Sequence, residues 1–193
     1  MIETFRRQTL FAQACVADIL KPGDSAVDGT VGTGEDTVFL AHCVGLKGKV
    51  YGFDIQKAAL QEARENIQKK AVKTPIQLIC DGHQHMDRYP EIADNPNIGA
   101  VMFNLGYWPD GDPFVTTQTE TTLKALKQSA ELIRPGGIVS VIAYAHSEGQ
   151  DEKRQIDQWT AHLDHHYDTY CFDVKNHKGA PTVYLILKKE SRH

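Results

Sequence analysis

Three glycines and two aspartates in the first third of the chain have the spacing of a ligand-binding turn. The segment 27–34 reads V-D-G-T-V-G-T-G, so that Asp28 stands directly before the first glycine. An apolar run leads into this segment, and the next apolar run of the chain ends in Asp54. Glycines let the backbone approach a ligand, and a carboxylate at the end of the following strand accepts hydrogen bonds from a ribose diol. The pattern predicts a nucleoside-binding cleft.

The order of the glycines indicates which nucleoside would bind. The dinucleotide fingerprint is G-x-G-x-x-G, whereas this chain has G-x-x-G-x-G preceded by Asp28. That order suits a ligand with an amino-acid tail and no pyrophosphate, and it predicts S-adenosylmethionine as the cofactor. Asp54 would accept both ribose hydroxyls and repel a 2′-phosphate, which argues against NADP. A dehydrogenase and a nucleoside-free α/β domain with glycine turns remain as alternatives.

The cofactor contacts can be assigned along this cleft. Asp28 would meet the ammonium group of the methionine part, directly or through water. Asp81, Gly82 and His83 follow a third apolar run and are placed to meet the adenine amine and edge. The other candidates are the loop residues and the nearby hydroxyls: Gly29, Thr30, Gly32, Thr33, Gly34 and Thr37.

A fourth apolar run ends in the residues that could do chemistry, Asn104-Leu105-Gly106-Tyr107. Methyl transfer from a sulfonium is an in-line displacement, so the attacking nitrogen must aim its lone pair at the methyl carbon. A side-chain carbonyl that accepts an N–H bond fixes that orientation. We therefore predict Asn104, which would also border the cofactor, as the catalytic acceptor, and Tyr107 or Trp108 as an aromatic wall against the substrate. The alternatives are a strand-end turn for Asn104 and loop packing for the two aromatic residues.

A fifth apolar run ends at the same predicted rim, in Tyr144-Ala145-His146. Tyr144 is a candidate substrate contact, and His146 could contact the substrate or assist removal of its proton. Simple loop packing is the alternative for His146. Three further histidines are predicted at the end of one helix, where a cation suits the helix dipole, and they are interpreted as surface or capping residues. They are His162, His165 and His166.

Metal and disulfide sites are not expected. The four cysteines lie far apart and form no C-x-x-C pair, so neither a zinc site nor a disulfide framework is indicated. We expect reduced, buried thiols. They are Cys15, Cys43, Cys80 and Cys171.

Alternating strand and helix patterns must position these residues, and they predict a parallel, doubly wound sheet. A leading helix over about 4–20 ends before Pro22-Gly23, and Thr117 to Glu120 has the spacing of a capping box that begins a later helix. Seven strands with interleaved helices are the count of the α/β, Rossmann-like class I methyltransferase fold, a mostly parallel seven-stranded sheet with helices on both faces. The predicted strands are 25–28, 49–53, 76–80, 98–103 and 138–144, with an antiparallel closing pair at 167–174 and 182–187. The other predicted helices are 36–43, 56–70 and 151–166.

The bulk properties limit the class of protein further. The 193 residues are read as one domain, 1–193, without a membrane span or a signal peptide, and therefore as cytoplasmic. The net charge of −4 argues mildly against a protein that coats nucleic acid. Local basic residues could still contact phosphates, with a solvated surface as the equal alternative. These residues are Arg6, Arg7, Lys175 and Lys178.

Four segments together resemble one bacterial family. They are residues 27–37, 52–56, 103–112 and 116–122. This set is similar to the Putative rRNA methylase family, whose characterised members are tRNA (5-aminomethyl-2-thiouridine) methyltransferases. The resemblance covers nearly the whole chain, and its specific part is the block that begins at Asn104. It implies S-adenosylmethionine-dependent methylation of the aminomethyl nitrogen at a wobble uridine, with 5-methylaminomethyl-2-thiouridine as the product and the tRNA anticodon region as the partner.

The resemblance also implies roles for single residues. Asn104 and Tyr107 match the active-site block, and Thr116 lies in the segment that continues it. The cofactor positions that match are Asp28, Gly32, Gly34, Asp54 and Gln56, with Ile55 inside the same motif. The chain departs from the family at Thr33 and Glu35, where Asn and His are common, and at Ala145, where Gly is common.

Other functions remain open from the sequence. They are an rRNA or small-molecule methyltransferase of the same fold, which the acidic balance slightly favours, and a non-catalytic nucleoside-binding module. Trp159 or the closing strands are the candidates for a homodimer contact.

Overall fold

The computed structural model describes residues 7–106, 118–144, 149–177 and 179–190. Its strands are β1 Ser25–Asp28, β2 Lys49–Phe53, β3 Ile76–Ile79, β4 Ile98–Asn104, β5 Ile138–Ala143, β6 Tyr167–Phe172 and β7 Thr182–Lys188. Its helices are α1 Gln8–Ile19, α2 Glu35–Val44, α3 Lys57–Lys69, α4 Pro90–Ala93, α5 Thr119–Leu132 and α6 Gly149–Ala161, with a 3₁₀ helix at His83–Arg88.

The seven strands form one sheet in the order β3-β2-β1-β4-β5-β7-β6. The first five are parallel, and β7 runs antiparallel between β5 and β6. Strand order reverses between β1 and β4, where Asp28 lies opposite Met102. Ligands of open α/β sheets bind outside the carboxyl ends of the strands at such a reversal. The sheet therefore places the candidate site above β1 and β4, and we call this edge the rim.

Helices cover both faces of the sheet because the central strands are apolar on both sides. On one face Val27 and Phe103 pack with Leu126 of α5 and Ile156 of α6. On the other face the alternate strand residues, such as Met102, pack against α1 and α2. Each strand thus contributes one residue in two to each core, as the period of a strand requires.

Helix α1 runs from the rim, at the carboxyl ends of the strands, toward their amino ends. It ends at Ile19, close to the start of β1, where Arg134 forms an ion pair of 2.7 Å with Asp24 and donates to the Ile19 carbonyl. Near its first turn Phe11 packs edge-on against Phe172 at the end of β6, with ring centroids 4.8 Å apart. The first half of α1 therefore lies beside the candidate site.

Three predicted helix ends are wrong. Arg7 has an extended backbone, so α1 begins at Gln8 and not at residue 4. Helix α5 has Gln118 as its N-cap without a side-chain capping bond, so the capping box does not form in the predicted register; Thr117 lies outside the described residues. Helix α6 ends at Ala161 and not at residue 166, because Asp164 accepts the N–H of His166 at 2.8 Å and forms a turn into β6.

The cysteine prediction is half correct. All four thiols are free, as expected, but none is fully buried: Cys15 and Cys43 are partly exposed, and Cys80 and Cys171 are exposed. Cys171 lies on β6, the strand at one edge of the sheet, and Cys80 follows β3 at the other edge. Edge strands have a side that no neighbour covers, which explains the exposure. Within the described ranges, no helix has the length and apolar character needed to cross a membrane.

Candidate active site

The glycine loop after β1 fits tightly between two neighbouring elements. A β-carbon at Gly29 would lie 2.3 Å from the Phe103 ring of β4, so only glycine fits there without displacing the ring. Gly34 has φ of +85° at the N-cap of α2, and a β-carbon there would lie 3.0 Å from that of Ala63 on α3. The backbone at both positions is therefore set by close approach or by a left-handed conformation, which glycine tolerates.

Asp54 ties this loop to the end of β2. Its carboxylate accepts the N–H of Gly32 at 2.9 Å and that of Gln56 at 2.8 Å, one on each oxygen. Each carboxylate oxygen can accept a second hydrogen bond, so the pair can still receive a ribose diol. Ile55 is 58% exposed beside it and could pack on a flat ring. These placements fit the nucleoside end of the predicted cofactor.

Asp28 lies buried at the end of β1. Its carboxylate accepts the hydroxyl of Thr37 at 2.5 Å and the N–H of Thr30 at 3.1 Å. Burial, together with the charge of nearby Asp36, raises the pKa of Asp28 to about 7. Thr37 is completely buried and holds Asp28. Its hydroxyl therefore binds the carboxylate of Asp28 and does not face an open cleft. The sequence had instead suggested that Thr37 contacts the cofactor.

His83, after β3, carries an unused buried acceptor. Its Nδ1 lies 3.0 Å from the carbonyl of Gly29, so Nδ1 carries the proton and Nε2 is left as an acceptor. Nε2 is buried and has no hydrogen-bond partner within the described ranges, and burial lowers the pKa of the ring. A buried acceptor without a donor fits an exocyclic amine of a ligand.

Asp81, the other predicted adenine contact, is largely occupied by its own neighbours. It accepts hydrogen bonds from the N–H of Gly82, from the Nδ1 of His85 and from the hydroxyl of Tyr89, at 2.8 to 3.0 Å. Burial opposes ionisation, but these bonds hold the pKa of Asp81 below its usual value. One lone pair remains for a ligand, so His83 is the less committed acceptor of the two.

A residue of the glycine loop holds the backbone of Asn104 by a hydrogen bond. Its backbone N–H donates to the Thr30 hydroxyl at 2.7 Å, and it pairs with Ile142 of β5. Strand alternation puts its side chain on the same face as that of Met102, the face covered by α1 and α2. In the described part of the chain no group is hydrogen-bonded to the Asn104 side chain. Thr30, predicted as a cofactor contact, is thus also the residue that positions Asn104.

Two residues of the site, Gln13 and Asp36, were missed in the sequence. Gln13 of α1 donates from Nε2 to Asp36 in the first turn of α2 at 2.7 Å. Asp36 also affects Tyr144, the predicted substrate contact just after β5. Tyr144 is half-buried, and burial together with the charge of Asp36 raises its pKa. A Glu-Asp pair after a glycine turn looks like an ordinary helix start, and nothing in the sequence of α1 links Gln13 to it.

The carboxylates of the site have no basic partners in the described ranges. Asp28, Asp36 and Asp54 form no ion pair there, whereas adjacent Glu35 pairs with Lys70 at 2.7 Å. Carboxylates brought together without counter-cations favour a cationic ligand. A sulfonium cofactor that also carries an ammonium group meets that condition, so the residues present fit S-adenosylmethionine.

Several predicted residues lie outside the described part of the chain. They are Arg6, Tyr107, Trp108, Thr116, His146 and Lys178. Tyr144, which is described, lies beside the segment that follows Asn104, since a β-carbon on Gly106 would be 3.7 Å from its ring. The ligand atoms of Asp164, His165 and His166 lie within 4.8 Å of one another. That cluster is exposed and follows α6 at the edge opposite the rim, so it takes no part in the site.

The sheet order, the glycine loop and the acid that ends β2 define a class I S-adenosylmethionine-dependent methyltransferase. The chain belongs to the Putative rRNA methylase family, whose model matches residues 50–188. A second model, for protein-L-isoaspartate(D-aspartate) O-methyltransferase, matches residues 4–93, which include the glycine loop and Asp54.

Relatives and solved structures agree with this assignment. A chloroplastic tRNA (mnm(5)s(2)U34)-methyltransferase of Arabidopsis thaliana is 30% identical over 96% of this chain and 71% of its own length. A structure described as a putative rRNA-methylase from Clostridium thermocellum has a TM-score of 0.86 and 36% identity, covering 92% of this chain and 95% of that one. A Streptococcus mutans methyltransferase in complex with SAH has a TM-score of 0.83 and 33% identity, covering 94% and 98%.

Proposed function

We propose that this protein methylates the aminomethyl nitrogen of 5-aminomethyl-2-thiouridine at the wobble position of tRNA, giving 5-methylaminomethyl-2-thiouridine. The observation that carries the proposal is the 30% identity, over 96% of this chain, to the chloroplastic tRNA (mnm(5)s(2)U34)-methyltransferase. That relative is named for the same modified nucleoside at the same position.

The geometry at Asn104 supports an amine as the acceptor of the methyl group. When bound, S-adenosylmethionine supplies a methyl group on a positively charged sulfur. The backbone of Asn104 is held by Thr30 at the end of β4, and its side-chain oxygen can accept an N–H of the substrate and so orient the lone pair. Because this side chain is neutral, it does not stabilise the ammonium form as a carboxylate would.

Basic residues on the rim support an RNA substrate. Arg7 is the N-cap of α1, whose first half lies beside the site, and it is exposed. Lys175 follows β6 on the rim side and its side chain is 88% exposed. These two cations are placed to contact phosphates around a single nucleotide, and a net charge of −4 leaves room for only such a local contact.

A second candidate, methylation of rRNA, is favoured by the description of the matching family as Putative rRNA methylase. The same cofactor side would serve either RNA, because Asp28, Asp54 and the glycine loop would contact the methyl donor and not the nucleic acid. The two functions therefore differ in the nucleic acid that reaches Asn104.

Nucleoside mass analysis of cells that lack the gene tests the proposal. We expect 5-aminomethyl-2-thiouridine to accumulate in tRNA and its methylated form to disappear, while the methylated nucleosides of rRNA stay unchanged. Expression of the wild-type chain should restore the product, and expression of Asn104→Ala should not. Unchanged tRNA nucleosides, or loss of a methylated rRNA nucleoside, would reject the proposal.

A further inference from the structure

A third carboxylate of the site, besides Asp28 and Asp54, lies in the first turn of α2. Asp36 has one oxygen fixed by the amide of Gln13 at 2.7 Å, and its other oxygen has no hydrogen-bond donor among the described residues. The nearest acid on the same helix, Glu35, is 63% exposed and is already paired with Lys70. Asp36 is therefore held in place by Gln13 and has no counter-cation among the residues that the structure describes.

The position of Asp36 follows from the elements around it. It stands in the first turn of α2, directly after the glycine loop, and α1 covers it from the side through Gln13. Asn104 ends β4, and its side chain points to the face that α1 and α2 cover. The charge of Asp36 contributes to the raised pKa of Tyr144, after β5, and the Tyr144 ring lies beside the segment after Asn104. Asp36 and Asn104 therefore both lie near the rim, on the sheet face that α1 and α2 cover.

We propose that Asp36 accepts the proton that the substrate amine must lose before it is methylated. This inference rests on the proposed function and adds the group that the function still lacks, because Asn104 can orient an amine but cannot take its proton.

The chemistry balances without any further reactant. A primary alkylamine arrives as an ammonium ion, which has no lone pair. The ammonium N–H bond breaks, an O–H bond forms on Asp36, and both charges are neutralised. The neutral nitrogen then attacks the methyl carbon, an N–C bond forms, and the C–S bond breaks with its electron pair left on sulfur. The product carries the positive charge as a secondary ammonium ion, and Asp36 returns its proton to water.

The charges around Asp36 favour such a transfer. It is faced by Asp28 from β1, by Glu35 on its own helix, by Gln13 from α1 and by Tyr144 after β5. Burial is the main cause that raises the pKa of Asp36; the hydrogen bond from Gln13 opposes this rise, and the charge of Glu35 adds to it. A carboxylate with a raised pKa is a better base near neutral pH. A sulfonium beside the substrate ammonium lowers the pKa of that amine by like-charge repulsion.

The test compares Asp36→Asn with the matched control Asp18→Asn on tRNA that carries 5-aminomethyl-2-thiouridine; Asp18 is exposed in the last turn of α1, away from the rim. For Asp36→Asn we expect kcat near neutral pH to fall by about 100-fold or more, the range of general-base catalysis. The remaining rate should rise about tenfold per pH unit as the amine loses its proton unaided, so that the deficit narrows in alkaline solution. Asp18→Asn should keep the wild-type rate and pH profile. Affinity for S-adenosylhomocysteine, measured by calorimetry, should change by less than about threefold in both variants.

The possible outcomes separate this inference from the function it rests on. Methyl transfer by the wild type, with Asp36→Asn equally fast or slowed equally at every pH, would overturn only the role of Asp36. No transfer by the wild type to this tRNA would overturn the proposed function, and the inference with it. If Asp36→Asn fails to fold, Asp36→Glu replaces it; a slower rate with the wild-type pH profile supports the inference, and a profile rising tenfold per unit contradicts it.

Discussion

Neighbouring carboxylates in the site have different environments and therefore different tasks. Asp54 is partly open and accepts one backbone N–H on each oxygen, which leaves it ready for a diol. Asp28 is buried, with Asp36 nearby, and its ionised form is costly until a cation arrives. The first arrangement suits recognition of a neutral sugar, and the second suits recognition of an ammonium group.

Replacing Asp28 by Asn should stabilise the ligand-free protein at neutral and higher pH. The folded pKa of Asp28, about 7, lies above the ordinary aspartate value of 3.8, so the native state holds this proton more tightly than the unfolded chain does. The stability that this proton provides is complete below the unfolded pKa and is lost as pH rises through the folded one. Asn carries no charge to bury, and the gain should be on the order of 4 kcal/mol above pH 7 and shrink toward acid.

Urea unfolding of both proteins from about pH 5 to about pH 8 measures this difference. The same variant should bind S-adenosylhomocysteine more weakly. An Asp28→Asn protein that is less stable than the wild type at the alkaline end would contradict the assigned environment.

Asn104→Ala should abolish most turnover while sparing the cofactor. The loss should be about 100-fold or more in kcat, since orientation of the nucleophile is lost, with little change in affinity for S-adenosylhomocysteine. Asn97→Ala is the matched control, because Asn97 is exposed just before β4, at its other end. Asp54→Ala should have the reverse effect and weaken cofactor binding first. Intact turnover in Asn104→Ala would remove Asn104 from the chemistry.

At the scale of elements, the glycine loop connects three parts of the molecule. Gly29 allows the ring of Phe103 on β4 to pack against the turn, Thr30 binds the backbone of Asn104, and Gly32 binds Asp54. The glycine loop and the end of β4 are therefore one packed unit. A substitution in the glycine loop should therefore also change the position of Asn104.

Gly29→Ala should destabilise the protein by about 1–3 kcal/mol, the usual cost of overpacking. Its new β-carbon would stand 2.3 Å from the Phe103 ring. In the double variant with Phe103→Leu the ring is gone, so the two effects should not add. Urea unfolding of the two single variants and the double variant measures the coupling. Simple additivity would show that the contact does not set the loop.

The sequence predicted the strands well because apolar runs bounded by turns identify them. The structure has the predicted bounds for β1 and β2, and the antiparallel closing pair is confirmed. Helix ends were less certain, as α6 illustrates, because one carboxylate, Asp164, decides where the turn begins. Helix propensities do not predict that contact.

The missed parts of the site are contacts between distant segments. The hydrogen bond of Thr30 with Asn104 joins residues 74 positions apart, that of His83 with Gly29 joins residues 54 apart, and that of Gln13 with Asp36 joins residues 23 apart. Sequence patterns predict which strand ends meet, but not which side chains pair across them. The glycine loop, Asp54 and Asn104 were predicted because their positions follow from the order of strands alone.

For the whole molecule, charge decides how an RNA could be held. A protein with a net charge of −4 should bind tRNA through few phosphate contacts and with a shallow dependence on salt. The exposed cations at the rim, Arg7 and Lys175, are the candidates in the described ranges.

Arg7→Ala and Lys175→Ala should each weaken tRNA binding and reduce the slope of log affinity against log salt by about one. Lys47→Ala is the control, since Lys47 is exposed in the turn before β2, at the opposite edge of the sheet. Filter binding over a range of salt concentrations measures the slopes. Equal slopes for the wild type and the three variants would show that the RNA contacts other residues.

The most direct test of the central claim is to follow a labelled methyl group into RNA. The purified protein would receive S-adenosylmethionine with a deuterated methyl group and total RNA from cells lacking the gene, and the nucleosides of tRNA and rRNA would be analysed separately by mass spectrometry. We predict the label in tRNA, in 5-methylaminomethyl-2-thiouridine, and none in rRNA. Label in rRNA, or no label in either fraction from protein that still binds S-adenosylhomocysteine, would contradict the claim.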